Sequence, residues 1–254
     1  MIRFHGGPIT PLVCANEVWN GRHAMVSFAH PEQISLAADV AQSFALDNGA
    51  YTLWKEQSQA EYPWDDWFQW VKPWLSHPGL AFVVLPDVVD GTAEQNEQLA
   101  SRWWMEHDVP HHMGVPVWHL HEPIKRLVSL SRRCQTVALG SSGEYAQPGV
   151  DQWWDRMADA MDSICDSTGR PRCRLHGLRM MNPSIFAHVP FASVDSTSVA
   201  RNIGLDQNWV GGPYPPLTKK ARAVVLADRF ESHACAARWS REARHTQMNF
   251  ELVG

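Results

Sequence analysis

Short apolar, β-rich runs alternate along the chain with longer amphipathic stretches, and that alternation predicts βα units around a parallel sheet. The strand candidates are AMVSF (24–28), SFALD (43–47), LAFVVLPD (80–87), VPVWHLH (115–121), TVALG (136–140), RLHGL (174–178) and FASVD (191–195), and the opening MIRFHG adds one more. Between them the apolar spacing predicts helices over 31–42, 64–76, 92–107, 123–133, 149–167 and 217–245. Pro31 and Glu32 suit the first turn of the first helix, and Thr92 is placed to cap the third. The strand count approaches the eight of a (β/α)8 barrel, so the expected fold is a single TIM-like α/β barrel domain over residues 1–254, with its last helical stretch at 217–245. A doubly wound sheet is the alternative. No internal repeat, low-complexity tract or linker divides the chain.

Composition narrows the function classes. A formal net charge of −5 gives no overall attraction for a nucleic-acid backbone, so any such contact has to come from a local basic patch. The five cysteines are scattered and form no CxxC pair, which signals neither a disulfide framework nor a zinc knuckle and suggests a reducing cytoplasm. Without an apolar leader or a run of about 18 apolar residues, neither secretion nor membrane spanning is expected. The 13 tryptophans fall mostly in helix-like stretches such as YPWDDWFQWVKPW, where packing is their expected role.

Polar residues gather at or just past the C-terminal ends of the strand candidates: Asp47, Asp87, His119, His121, the GSSGE turn at 140–144, His176 and Asp195. That is the active face of a barrel. Singly, each is equally served by a helix cap or an ordinary polar contact; together they describe a site. Gly140, Ser141, Ser142 and Gly143 offer backbone N–H groups free of bulk, suited to a base edge, a phosphate or a tight βα turn. Two sets compete for the chemistry. His119 and His121, two apart on a strand, would point the same way and with Asp195 resemble the metal site of an amidohydrolase barrel. Asp47 and Asp195, two carboxylates from different strands, suit a displacement at an anomeric carbon in which one attacks and the other handles protons.

FASVDSTSVAR (191–201), in which an Asp is followed six residues later by an Arg, resembles the nucleophile stretch of the tRNA-guanine transglycosylases. ALDNGAY (45–51) is similar to that family's LDSGGFQ segment, VLPDVVDG (84–91) to its base-reading strand, and HGGPITP (5–11) to its entry motif. ALGSSGEY and RLHGLRMMNP follow in the family's order, so the resemblance spans roughly residues 5–205. The family's CxCxxC zinc motif is missing after Asp195. A compact relative of this kind resembles most the phage and bacterial enzymes that exchange guanine in DNA for a 7-deazaguanine such as preQ0. The resemblance implies Asp195 as nucleophile and Asp47 as general acid and base. It implies Asp87 as the reader of the base, with Asn48 and Gly49 letting the base lie close and the GSSG turn meeting its carbonyl edge. His121 or a neighbour replaces, in this register, the Gln usual at the family's base-binding fourth strand, and Tyr51 or Met180 would cover the base's face. Phosphates would meet Arg201, Lys219, Lys220 and Arg222. The implied partners are DNA, or else tRNA, and a free deazaguanine; no metal or other cofactor is called for. The implied setting is the cytoplasm, the host's for a phage-encoded chain.

Overall fold

The structure is a computed structural model that describes residues 1–56, 62–107, 109–204 and 216–241. Its strands are β1 (Ile2–Gly6), β2 (His23–Ser27), β3 (Ser43–Asp47), β4 (Leu80–Val84), β5 (Gly114–Val115), β6 (Val117–His119), β7 (Thr136–Gly140), β8 (Arg174–Gly177) and β9 (Ser193–Ser196). Every pair is parallel, and the order β5-β4-β3-β2-β1-β9-β8-β7-β6 follows the chain without a reversal. A doubly wound sheet reverses its order at a switch point; this one curls round.

Pro116 explains why nine strands make an eight-position barrel. It splits the expected VPVWHLH strand into β5 and β6, because a proline has no N–H for the ladder. On one side Val115 accepts from Leu85 N–H at 2.9 Å, and on the other Pro116 accepts from Ala138 N–H at 2.9 Å. The two ends of the sheet are thus one stretch of chain, and the barrel is nearly closed.

Period-two alternation sorts the side chains. Phe4, Met25, Ala45, Phe82, Val84, Val115, Val117 and Ala138 fill the interior, with Phe4 and Phe82 edge to face at 5.3 Å. The outward set packs under the helices, where Trp19, Trp67, Trp103, Trp118 and Trp153 are fully buried, as expected for packing tryptophans. Each such ring removes 150–250 Å² from water, on the order of several kcal/mol.

The helices are α1 (Leu12–Trp19), α2 (Ile34–Val40), α3 (Ala50–Lys55), α4 (Trp64–Val71), α5 (Ala93–Glu106), α6 (Ile124–Arg133), α7 (Asp151–Ile164), α8 (Pro183–Phe186), α9 (Ser198–Asn202) and α10 (Lys219–Ser232). Thr92 caps α5 through a reciprocal box with Gln95. The predicted stretches at 31–42 and 64–76 each include a 3-10 turn, Pro31–Gln33 before α2 and Lys72–Trp74 after α4. The stretch predicted at 217–245 ends as helix at Ser232. Beyond it Ala236 N–H bonds Phe186 O and Trp239 N–H bonds Gly169 O, which folds the chain back across the barrel's outside; residues 242–245 lie outside those described. The sequence pattern does not predict α1, α3, α8 or α9; the last three, of six, four and five residues, are too short to show a period. Among the described residues no helix is long and apolar enough to cross a membrane, and all five cysteines are free.

Candidate active site

The strands' C-terminal ends open into a cavity of about 540 Å³. Asp47, Asp87 and Asp195 line it together with Ser27, Asn48, Tyr51, His119, Gly140, Ser141, Arg179 and Arg201. Three carboxylates thus meet in one space, Asp47 and Asp195 from inward positions at the C-terminal ends of β3 and β9 and Asp87 from the loop three residues past the end of β4.

Asp47 ends β3. Its Oδ2 accepts from Ser27 Oγ at 2.8 Å and from Gly49 N–H at 3.0 Å. Burial pushes its carboxyl up to about 6, helped by the neighbouring charges of Asp195 and Asp87 and opposed by those two hydrogen bonds. Gly49 is left-handed, φ 78°, and an added Cβ would stand 3.0 Å from Ala29 N, so the turn that presents Asp47 requires glycine. Asn48 is committed to the protein: its amide donates to Leu85 O and Asp87 Oδ1, each at 2.6 Å, and its oxygen caps Ala50 N–H at 2.9 Å.

Asp87 is buried, and both of its oxygens have partners. Oδ1 takes the Asn48 bond and Oδ2 meets His119 Nε2 at 2.7 Å. Each oxygen keeps a second lone pair for a ligand. Behind this pair lies a polar network that sequence reasoning missed. Glu122 accepts from Arg126 Nη1 at 2.6 Å and from Asn96 Nδ2 at 2.7 Å, while Asn96 Oδ1 takes Val88 N–H at 2.8 Å. It ties the turn after His119 to the loop after Asp87. Acidic and amide side chains at these spacings carry no signal of their own.

Asp195, on β9, is 8% exposed. Its Oδ1 accepts from Arg179 N–H at 2.8 Å and lies 3.4 Å from His176 Nε2, which is too poorly aligned to be a hydrogen bond. His176 is wholly buried among Phe4 and Phe82, and its Nδ1 bonds Ser193 Oγ at 2.8 Å. Arg179 is the one non-glycine residue with positive φ among those described, at 59°.

Several expected contacts lie elsewhere. His121 is not on the cavity wall: its ring stacks on that of His119 at 5.8 Å, so the two share a direction as their spacing predicts, but His121 bonds Ser142 Oγ at 2.7 Å and Gly91 O at 3.0 Å. Those bonds engage both ring nitrogens. Among the described residues no three of His, Cys, Asp or Glu are grouped to hold a metal ion, and His119 faces Asp87 rather than Asp195. Ser142 is buried under His121, Gly143 follows it in the turn, and Met180 is fully buried in the core; none of the three walls the cavity, whereas Gly140, Ser141 and Tyr51 do. Lys220 pairs with Glu17 at 2.6 Å and Arg222 binds Ile203 O and Pro216 O, so both brace α10. Lys219 is exposed on α10, off the cavity wall, and Arg201 alone of the four expected phosphate contacts reaches it. Ser27 and Arg179 were not singled out in the sequence; Ser27 ends its strand as Asp47 does, but nothing local marks Arg179. The sequence matches no family model and no curated protein.

Proposed function

We propose that the protein is a base-exchange transglycosylase that replaces guanine in DNA with a 7-deazaguanine of the preQ0 type. The observation that carries the reading is the convergence of Asp47 and Asp195 in one cavity with different surroundings. Asp195 Oδ1 is engaged by the Arg179 amide, and Oδ2 makes no hydrogen bond among the described residues, which suits attack on C1′ of the target sugar. As the C1′–N9 bond breaks, its electron pair leaves on N9, where protonated Asp47 supplies the proton. The sugar is then an ester of Asp195. The incoming base gives its N9 proton to ionised Asp47 and attacks C1′, and Asp195 leaves as carboxylate. A carboxyl titrating near 6 is populated in both forms close to neutrality, as this cycle needs.

Asp87 supports selectivity for guanine-type bases. Its spare lone pairs match N1–H and the 2-amino group, donors that adenine does not offer together. A duplex target has to be unstacked before C1′ reaches Asp195. The test offers the purified protein labelled guanine or preQ0 with DNA and with tRNA separately and follows the label. Exchange into DNA that Asp195→Ala abolishes in a folded protein is expected; exchange by the alanine variant at the wild-type rate, or none by the wild type on either polymer, overturns the reading.

A further inference from the structure

The cavity's walls divide by charge. Its floor is Asp47, Asp87 and Asp195, while the exposed residues around its mouth include Lys55, Arg179 and Arg201. None of these three cations makes an ion pair among the described residues, although Glu56 lies on the same rim beside Lys55. In a chain of net charge −5, three unpaired cations at the entrance to an acidic cavity need a reason.

Arg179 is held there. Its left-handed backbone, φ 59°, is disfavoured for a residue with a Cβ and persists only where the surroundings impose it. Its N–H is spent on Asp195, and its guanidinium carbon lies 3.5 Å from the centre of the Tyr51 ring. Stacking occupies the face of a guanidinium and leaves its edge N–H groups free, in the fork that suits an anion's oxygens. Arg201 comes to the same mouth from α9, and Lys55 from the last turn of α3.

We propose that Arg179, Arg201 and Lys55 form a phosphate site at the cavity mouth, so that the ligand is a nucleotide whose phosphate is held on the rim while its sugar and base enter the acidic interior. This rests on reading the cavity as a nucleoside site. It also moves the phosphate contacts from α10 to the mouth, with Arg179 fixing in one residue both a phosphate donor and the position of Asp195.

The test measures binding rather than turnover. The full chain is titrated with dGMP, with deoxyguanosine and with a short single-stranded DNA at several salt concentrations, as wild type, Arg179→Gln, Arg201→Gln and Lys55→Gln. Lys55, exposed on a helix, supplies the arm least able to disturb folding. The expected result is dGMP bound at least tenfold tighter than deoxyguanosine, competition of dGMP by inorganic phosphate, and a narrower gap in each variant. For DNA, each lost cation should lower the slope of log affinity against log salt by about 0.7. Equal affinity for dGMP and deoxyguanosine, no binding of any probe, or variants with unchanged gap and slope overturns the proposal. Cation-dependent binding without guanine exchange upholds the phosphate site and overturns the transglycosylase reading. Exchange with no dependence on the three cations does the reverse.

Discussion

Asp87 and His119 share a 2.7 Å hydrogen bond in a site where both are almost completely buried, and Asn48 takes the other Asp87 oxygen at 2.6 Å. A carboxylate so held is part of the fold as well as a wall of the cavity. Asp87→Ala therefore leaves two buried donors unpaired, at about 1–3 kcal/mol each, and urea unfolding should show a loss of that order. In exchange with preQ0 the same variant should lose on the order of 2–4 kcal/mol of transition-state stabilisation, and hypoxanthine, which lacks the 2-amino group, should lose less. Equal losses for the two bases would mean that Asp87 does not read the amine.

The raised carboxyl of Asp47 makes stability depend on pH in a definite direction. The native group titrates near 6 and its ordinary value is 3.8, so between these the folded state binds the more protons. The contribution is fully present below pH 3.8, falls as pH rises through the window, and levels off above 6, by about 3 kcal/mol in all. Denaturation of wild type and Asp47→Asn at pH 4 and pH 7.5 should show the asparagine variant gaining on the wild type as pH rises. A constant difference between them would contradict the shift.

His176 is the buried imidazole nearest the proposed nucleophile. Replacing it with Phe keeps the interior filled between Phe4 and Phe82 but removes the nitrogen 3.4 Å from Asp195. Exchange should slow by on the order of tenfold, because the Nε2 left without a hydrogen bond in the free protein is close enough to align with Asp195 as its charge changes during the reaction, with KM little changed. His176→Gln should restore part of it. A pure packing role would predict no rescue by Gln and no split between kcat and KM.

Gly140 is packed against His119. A Cβ there would lie 2.7 Å from His119 Nδ1, so Gly140→Ala must push the ring off Asp87. The expected cost is about 1–3 kcal/mol. The double variant Gly140→Ala/His119→Ala should be less destabilised than the sum of its parts, because the clash has gone. Additive losses in a denaturation cycle would show that the ring is not what the alanine strikes.

The strands, their parallel arrangement and the acids at their ends were legible in the sequence. Period-two burial and the βα alternation are written in the order of apolar residues, and Asp47, Asp87 and Asp195 each close an apolar run. What depends on where a strand stops was not legible. The rule that places His119 and His121 on one face holds, their rings stacking at 5.8 Å, yet only His119 reaches the cavity because β6 ends there, and Met180 drops into the core because the chain turns after β8. Arg179 was hidden for a deeper reason: its part depends on a left-handed backbone, on a hydrogen bond from its N–H to a residue 16 positions away and on a ring from another βα unit. Local patterning determines which residues face inward; barrel closure alone decides which of those faces meet.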